Sequence, residues 1–331
     1  MSADRRPAGS RRADFLIRHA PVLSIAGFAA ICLVFFAWGS PYFLSGGNIL
    51  NLFRQSAPLL IVAIAMTFVI TTGGIDLSVG STVALVNALA AIALAAGIAW
   101  PLVVLAMLIV GALVGAVQGW FAAYQGIPSF IVTLAFLTGL RGFALLLTRG
   151  YSIPIAPGSW FDVLGRGSLG ALPVPALLAI ATAVIGFVVL GGTTYGRHVT
   201  AVGANLEAAR RAGIPARRIA ASVFVLSGLA AALAGLITAA RLGSGSSNAA
   251  VGFELQVIAA VVLGGTSLFG GTGTIIGTVL GTLTIAMIGN GLILMHVSPF
   301  FTEIATGAII LGAVWLNARV FARLAGPGRR R

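Results

Sequence analysis

The chain has 331 residues, 59% of them hydrophobic and only 8% charged, with a mean hydropathy of +1.06; soluble domains are about a quarter charged, so a soluble fold is excluded and a polytopic membrane protein is expected. The formal charge is +13 and all twenty basic residues are Arg. They gather at the two termini and in segment 192–218 rather than along a stripe interleaved with aromatics, which excludes a nucleic-acid partner and suits loops lying against anionic lipid.

Residues 1–20 form a basic tail containing Arg5, Arg6, Arg11, Arg12 and Arg18. The tail resembles the n-region of a signal peptide, but the apolar run that follows, 21–38, is about eighteen residues long and exceeds a typical h-region. It is expected to stay as a first membrane helix. The lone Cys32 lies in it, cannot form an intrachain disulfide and reads as a small hydrophobe. Further runs able to cross about 30 Å of hydrocarbon follow at 57–73, 79–99, 101–123, 129–148, 173–191, 219–240, 254–269, 272–295 and 302–321. The expected fold is all-α, a polytopic transmembrane helical bundle of about ten spans over 21–321, followed by a basic tail, 322–331. An eight-span variant, with 254–295 merged around a re-entrant turn, fits the charges almost as well. An even count puts both termini on one side. With that side cytoplasmic, fifteen Arg lie inside, while Arg54, Arg141, Arg149, Arg166 and Arg241 lie outside or within spans. That asymmetry predicts an N-in, C-in topology.

Between the second and third runs the chain reads Thr71-Thr72-Gly73-Gly74-Ile75-Asp76-Leu77-Ser78-Val79-Gly80-Ser81, with Asp76 one of only seven acidic residues. An ionisable group at the bilayer centre costs roughly 2.5–3.5 kcal/mol, so it marks a helix end, a cavity or a pathway. Three roles are open to Asp76. It can cap the third span by accepting from the N–H of Ser78 or Val79, serve a gate or hinge that the flanking glycines Gly73, Gly74 and Gly80 make flexible, or contact substrate. The topology puts it at the cytoplasmic end of its spans. The pattern Gly-Gly-x-x-Leu-x-x-Gly recurs at Gly264, Gly265, Leu268 and Gly271, beside Gly270, in a second break between spans. Interrupted hydrophobic segments at matching positions are a signature of repeat-built transporters.

The longest external segment, 149–172, is rich in Pro, Gly and aromatics and reads either as a periplasmic cap that meets a partner or as a plain surface loop. Gly111, Gly115 and Gly119, and likewise Gly273, Gly277 and Gly281, recur every four residues and form small-residue stripes for close helix approach; the second stripe suits either an internal contact or a dimer seam. Uncharged polar residues inside spans, Thr67, Thr71, Asn87, Gln118, Thr133, Thr138 and Asn290, are candidates for lining a pathway or for interhelical hydrogen bonds. Glu254, Gln256, His296 and Glu303 fall near external span ends, where interfacial solvation accounts for them. The three histidines are far apart in this topology, so no metal site is expected.

Cytoplasmic loop 192–218 carries the sharpest local signal. Asn205 stands at an N-cap, with Leu206 next, Glu207 in the first turn, then Ala208 and Ala209, Arg210 and Arg211 near the end, Gly213 at C′ and Pro215 beyond. This is a complete set of start and stop signals for a two-turn helix. Alone in water so short a helix is marginal, so it needs a surface to pack on.

Glu207-Ala208-Ala209, three residues, then Gly213 is similar to the Glu-Ala-Ala…Gly coupling motif of ATP-binding-cassette importer permeases. Together with Gly73–Ser81, Gly126–Leu134 and Val262–Gly271 it resembles the ribose-type, type II-like permease group across about residues 20–320. The resemblance implies a permease that works as a homodimer or with a paralogous permease, docks a cytoplasmic ATPase on 205–213 and accepts a monosaccharide from a periplasmic binding protein in the inner membrane. ATP and Mg²⁺ would belong to that ATPase. This chain has no Lys and no Walker A pattern, and no nucleophile–base or metal set, so no cofactor and no catalytic residue are expected in it. A branched-chain amino acid or nucleoside permease is the nearest alternative. An ion-coupled carrier would need buried carboxylate or His relays, which apart from Asp76 the spans hardly supply.

Overall fold

A computed structural model describes residues 8–298, 300–301, 304–308 and 311–312, with side chains from 22 onward. In chain order its helices are α1 (Ala8–Gly39), α2 (Gly46–Thr71), α3 (Val79–Ala95), α4 (Trp100–Ala123), α5 (Ser129–Thr148), α6 (Val163–Arg166), α7 (Val174–Gly192), α8 (Thr194–Ala204), α9 (Leu206–Arg211), α10 (Ala216–Leu242), α11 (Phe253–Leu263) and α12 (Ile275–Leu294). Two short antiparallel pairs join β1 (Ile153–Pro154) to β4 (Ser244–Gly245) and β2 (Ser168–Leu169) to β3 (Leu172–Pro173). The expectation of an all-helical chain is corrected to that small extent. Segment 149–172 is a folded loop whose Phe161 is buried and whose Gly165 backs onto the Ala240–Arg241 backbone of α10.

α2 and α10 are the centre of the bundle. Every residue of α2 from Ser56 to Thr71 is buried, so its apolar character runs all round the helix instead of forming a stripe. α2 begins eleven residues before the predicted start at 57 (46 against 57), because polar residues in its first turns find partners. Asn48 exchanges side-chain hydrogen bonds of 2.9 and 3.0 Å with Asn290 of α12 and donates to Phe43 O at 2.9 Å. α4, α5 and α7 lie outside and turn large side chains such as Leu113, Leu146 and Ile185 outward, as lipid contact requires.

Seven helices among the described residues are long and apolar enough to cross a membrane. The predicted runs 79–99 and 254–269 are not among them. α3 has 17 residues and α11 only 11; at about 1.5 Å per residue α11 covers roughly half of a 30 Å hydrocarbon core. The chain turns at Gly264 and Gly265, so the apolar count up to 269 includes loop. The predicted span 302–321 and the two basic tails fall largely outside the described residues.

α4 packs on α10 through its glycine stripe. A Cβ on Gly111 would meet Gly228 O, one on Gly115 would meet Phe224 O, and one on Gly119 would meet Ala221. The second stripe packs in the same way on α11, Gly277 against Gly264 and Gly281 against Ala260. Gly273 lies against Thr71 of α2, so the stripe makes close internal contacts along its length. Gly115→Val should overpack the α4–α10 seam, with a cost of about 1–3 kcal/mol or more. The expected result is a drop in the melting temperature of detergent-purified protein and several-fold less protein in the membrane; a melt unchanged from wild type would contradict this packing.

Candidate functional site

The two glycine-rich breaks come together at one end of the bundle, joined by main chain. Gly271 N–H donates to Thr71 O at 2.9 Å. Gly203, near the end of α8, lies so close to the Thr71 carbonyl that any side chain there would overlap it, and Gly270 lies against Gly203 O and the backbone of Gly73. Gly270 and Gly271 both adopt positive φ, 81° and 77°, the left-handed region open to Gly. Two residues beyond Gly203 stands Asn205, the N-cap of α9. The break after α2, the break before α12 and the root of α9 thus share one contact.

α9 is formed as its sequence predicts. The Asn205 side chain accepts from Ala208 N at 2.9 Å. At the other end Gly213 N donates to Arg210 O and Ile214 N to Ala209 O, each at 3.0 Å, with Gly213 at φ 80°, which is a Schellman closure. Ala209 is buried against the bundle and Ile214 half-buried, whereas Leu206, Glu207, Ala208, Arg210, Arg211 and Gly213 are exposed. Glu207 pairs with Arg211 one turn on at 3.2 Å.

Asp76 is 1% exposed and lies deeper than the topology suggested. Its Oδ2 accepts from Ser227 Oγ at 2.6 Å, and Ser227 is eleven residues into α10 (216 to 227), about 16 Å along the helix. Its Oδ1 accepts from Ser78 N at 2.9 Å and Ser78 Oγ at 2.7 Å. Gln118 Nε2 of α4 donates to Ser78 Oγ at 2.7 Å. Ser129 Oγ of α5 accepts from Ile75 N at 3.1 Å, and Thr133 Oγ1 donates to Ile75 O at 3.1 Å. Residues 75–78 are thereby tied to α4, α5 and α10 at once.

At the opposite half of the bundle, nearer the strands, lies a cavity of about 740 Å³, within the roughly 300–1,000 Å³ of small-molecule sites. The first half of α2, the ends of α10 and α12 and the start of α11 enclose it, and its polar lining includes Gln55, Arg241, Gln256 and Asn290. Among the described residues Arg241 Nε is buried without a hydrogen-bond partner. The segment leading into α11 descends along α3: Asn87 Oδ1 accepts from Ser246 N at 2.5 Å, and the Arg141 guanidinium donates to Ser247 O at 2.6 Å and Ala249 O at 2.7 Å. Glu254 then reaches Gly80 in the first turn of α3. α11 accordingly starts inside the bundle. Glu254 is thus drawn against α3 and Gln256 faces the cavity, rather than both lying at an external span end as the sequence suggested.

Of the polar candidates Thr67, Thr71, Asn87, Gln118, Thr133, Thr138 and Asn290, Asn290 is the one that lines the cavity, and Thr138 Oγ1 donates to Leu134 O at 3.3 Å within its own helix. Thr67 Oγ1 instead meets Thr278 Oγ1 at 2.7 Å, Thr71 Oγ1 donates to Thr67 O at 2.6 Å, and Asn87, Gln118 and Thr133 hold the contacts given above. Sequence reasoning missed Ser227, a serine on an Ala-rich helix with no local signal. It also missed Arg241 and Gln256 as lining residues, although a lone charge and an amide beside apolar runs were visible.

Residues 48–314 match a family model described as branched-chain amino acid transport system / permease component. The chain is 41% identical to the probable ABC transporter permease protein YphD of Escherichia coli K12, over 92% of this chain and 91% of that one. It is 43% identical to the ribose import permease protein of Bacillus subtilis 168, over 85% and 87%, and 37% identical to the xylose transport system permease protein of Escherichia coli K12, over 89% and 90%. No solved structure matches.

Proposed function

We propose that this chain, which belongs to the branched-chain amino acid transport system / permease component family, is the membrane-spanning subunit of an ATP-driven importer of a monosaccharide. It is a multi-pass inner-membrane protein and a transport component. The observation that carries the sugar assignment is likeness along nearly the whole chain, at 37–43% identity, to permeases named for ribose and xylose. The family description itself favours a second reading, branched-chain amino acid import.

In the proposed arrangement about ten spans cross the membrane with both termini in the cytoplasm, and the chain pairs with a second copy or a paralogous permease. A separate ATPase binds ATP and Mg²⁺ and docks on α9, where Leu206 and the 95% exposed Phe269 offer apolar contacts. A periplasmic binding protein delivers sugar at the strand end. The cavity receives it: amides of Gln55, Gln256 and Asn290 and the Arg241 guanidinium suit hydroxyl groups. Movement of α9 is passed through Gly203 to both breaks, and the Asp76 network acts as the hinge that restores them.

Co-reconstitution with the neighbouring ATPase and binding protein tests this. ATP-driven uptake of labelled ribose, xylose or another simple sugar, unaffected by excess leucine, is the expected result. Leucine uptake without sugar uptake, or sugar uptake by this chain alone driven by a pH gradient, would refute it.

A further inference from the structure

Beside α9 lies a second, open pocket of about 430 Å³, lined by Tyr124, Arg210, Pro215, Ala216, Arg217 and Arg218. Arg210 comes from the last turn of α9, Arg217 and Arg218 from the first turn of α10. Cations in a first turn oppose the helix dipole, which favours anions there, and α10 has neither an acidic residue in that turn nor a side-chain cap. None of the three arginines is ion-paired; among the described residues the ion pair is Glu207–Arg211. The positive-inside bias accounts for cations on this side of the membrane but not for three of them converging on one pocket beside a positive helix end. The arrangement calls for an anion from outside the chain.

The remaining wall points to where that anion comes from. Tyr124 ends α4, and Trp120, Ile127 and Phe130 beside it in sequence are exposed, continuous with the outward apolar faces of α4 and α5. Tyr and Trp in such positions mark the membrane–water boundary, the level of lipid phosphates, and Arg clusters there bind anionic head groups. Guanidinium groups pair with phosphate oxygens bidentately.

We propose that Arg210, Arg217, Arg218 and Tyr124 bind the phosphate of an anionic phospholipid and so tie the end of the docking helix to the bilayer. The proposal rests on the membrane-permease reading with α9 facing the cytoplasm. Native mass spectrometry of the full chain released from phosphatidylcholine nanodiscs doped with phosphatidylglycerol tests it. Wild type should retain phosphatidylglycerol, Arg210→Gln/Arg217→Gln/Arg218→Gln at least fivefold less, and Arg197→Gln, an exposed cation on α8, as much as wild type. Should the triple variant not fold, Arg217→Gln alone should show an intermediate loss. Equal retention by the variants overturns the site. Displacement of the lipid by soluble glycerol phosphate overturns the lipid assignment, and loss of the co-purifying ATPase with lipid retained gives these arginines to that partner instead. The orientation is read separately: Glu207→Cys in a Cys32→Ala background should react with an impermeant maleimide from the cytoplasmic side, and labelling from outside refutes the orientation without bearing on lipid retention.

Discussion

Glu207→Arg is expected to abolish sugar-stimulated ATP hydrolysis while the subunit still inserts and folds. Glu207 is exposed, and its pair with Arg211 at 3.2 Å spans one exposed turn, a contact worth about 0.2–0.5 kcal/mol. A cation in the first turn adds a dipole penalty of about 0.3–1 kcal/mol. α9 survives both, because the Asn205 cap, the closure at Gly213 and the buried Ala209 do not involve this side chain. What changes is the sign of the charge offered to the proposed ATPase partner, at the position where the family resemblance sets Glu. Like-charge or unpaired contacts at a docking surface cost several kcal/mol, enough to reduce coupling more than a hundredfold. Gly213→Pro gives an independent route to the same loss: it removes the N–H donated to Arg210 O and cannot adopt φ near 80°. Coupled ATPase activity at wild-type level in both variants would remove α9 from the mechanism.

Asp76→Asn and Asp76→Ala should separate a hinge from a passive cap. Alanine strands three buried donors, Ser227 Oγ–H, Ser78 Oγ–H and Ser78 N–H, at about 1–3 kcal/mol each, so the Ala variant is expected to accumulate poorly and melt early. Asparagine keeps an acceptor for Ser78 and a polar group of the same shape toward Ser227, so its fold should hold. It loses the charge that strengthens the bonds between the break and α10. The expected outcome for Asp76→Asn is a melting temperature near wild type with sugar uptake at least tenfold slower. Uptake equal to wild type would leave Asp76 as a cap only.

α9 was legible in full because helix caps are local: Asn205, Glu207, Arg211 and Gly213 act within a few residues of one another. The two breaks were legible for the same reason, since Gly73–Gly74 and Gly264–Gly265 interrupt apolar runs. Their contact with each other was not, because it depends on where α8 ends in space. Nor was the depth of Asp76, which is set by Ser227 at a separation of 151 residues. Hydropathy failed most plainly at 254–269. A window cannot tell a short helix followed by an apolar loop from a full span, and the polar anchors that sink the start of α11, Asn87 and Arg141, lie on other helices. Pathway candidates chosen for being polar inside spans were mostly drawn to neighbouring helices, as a buried hydroxyl or amide without water must be.

The junction of Gly203 with Thr71, Gly270 and Gly271 is built from peptide groups alone. Side chains give way by changing rotamer; a peptide plane has no such compliance. In the proposed coupling, a push on α9 would therefore reach both breaks without slack. The linkage is also difficult to retune in small steps, since the smallest added group at Gly203 already collides. If α9 is the coupling element proposed above, variation in how strongly it drives the breaks is to be sought in the length of the chain on either side of this contact, not in the residues that make it.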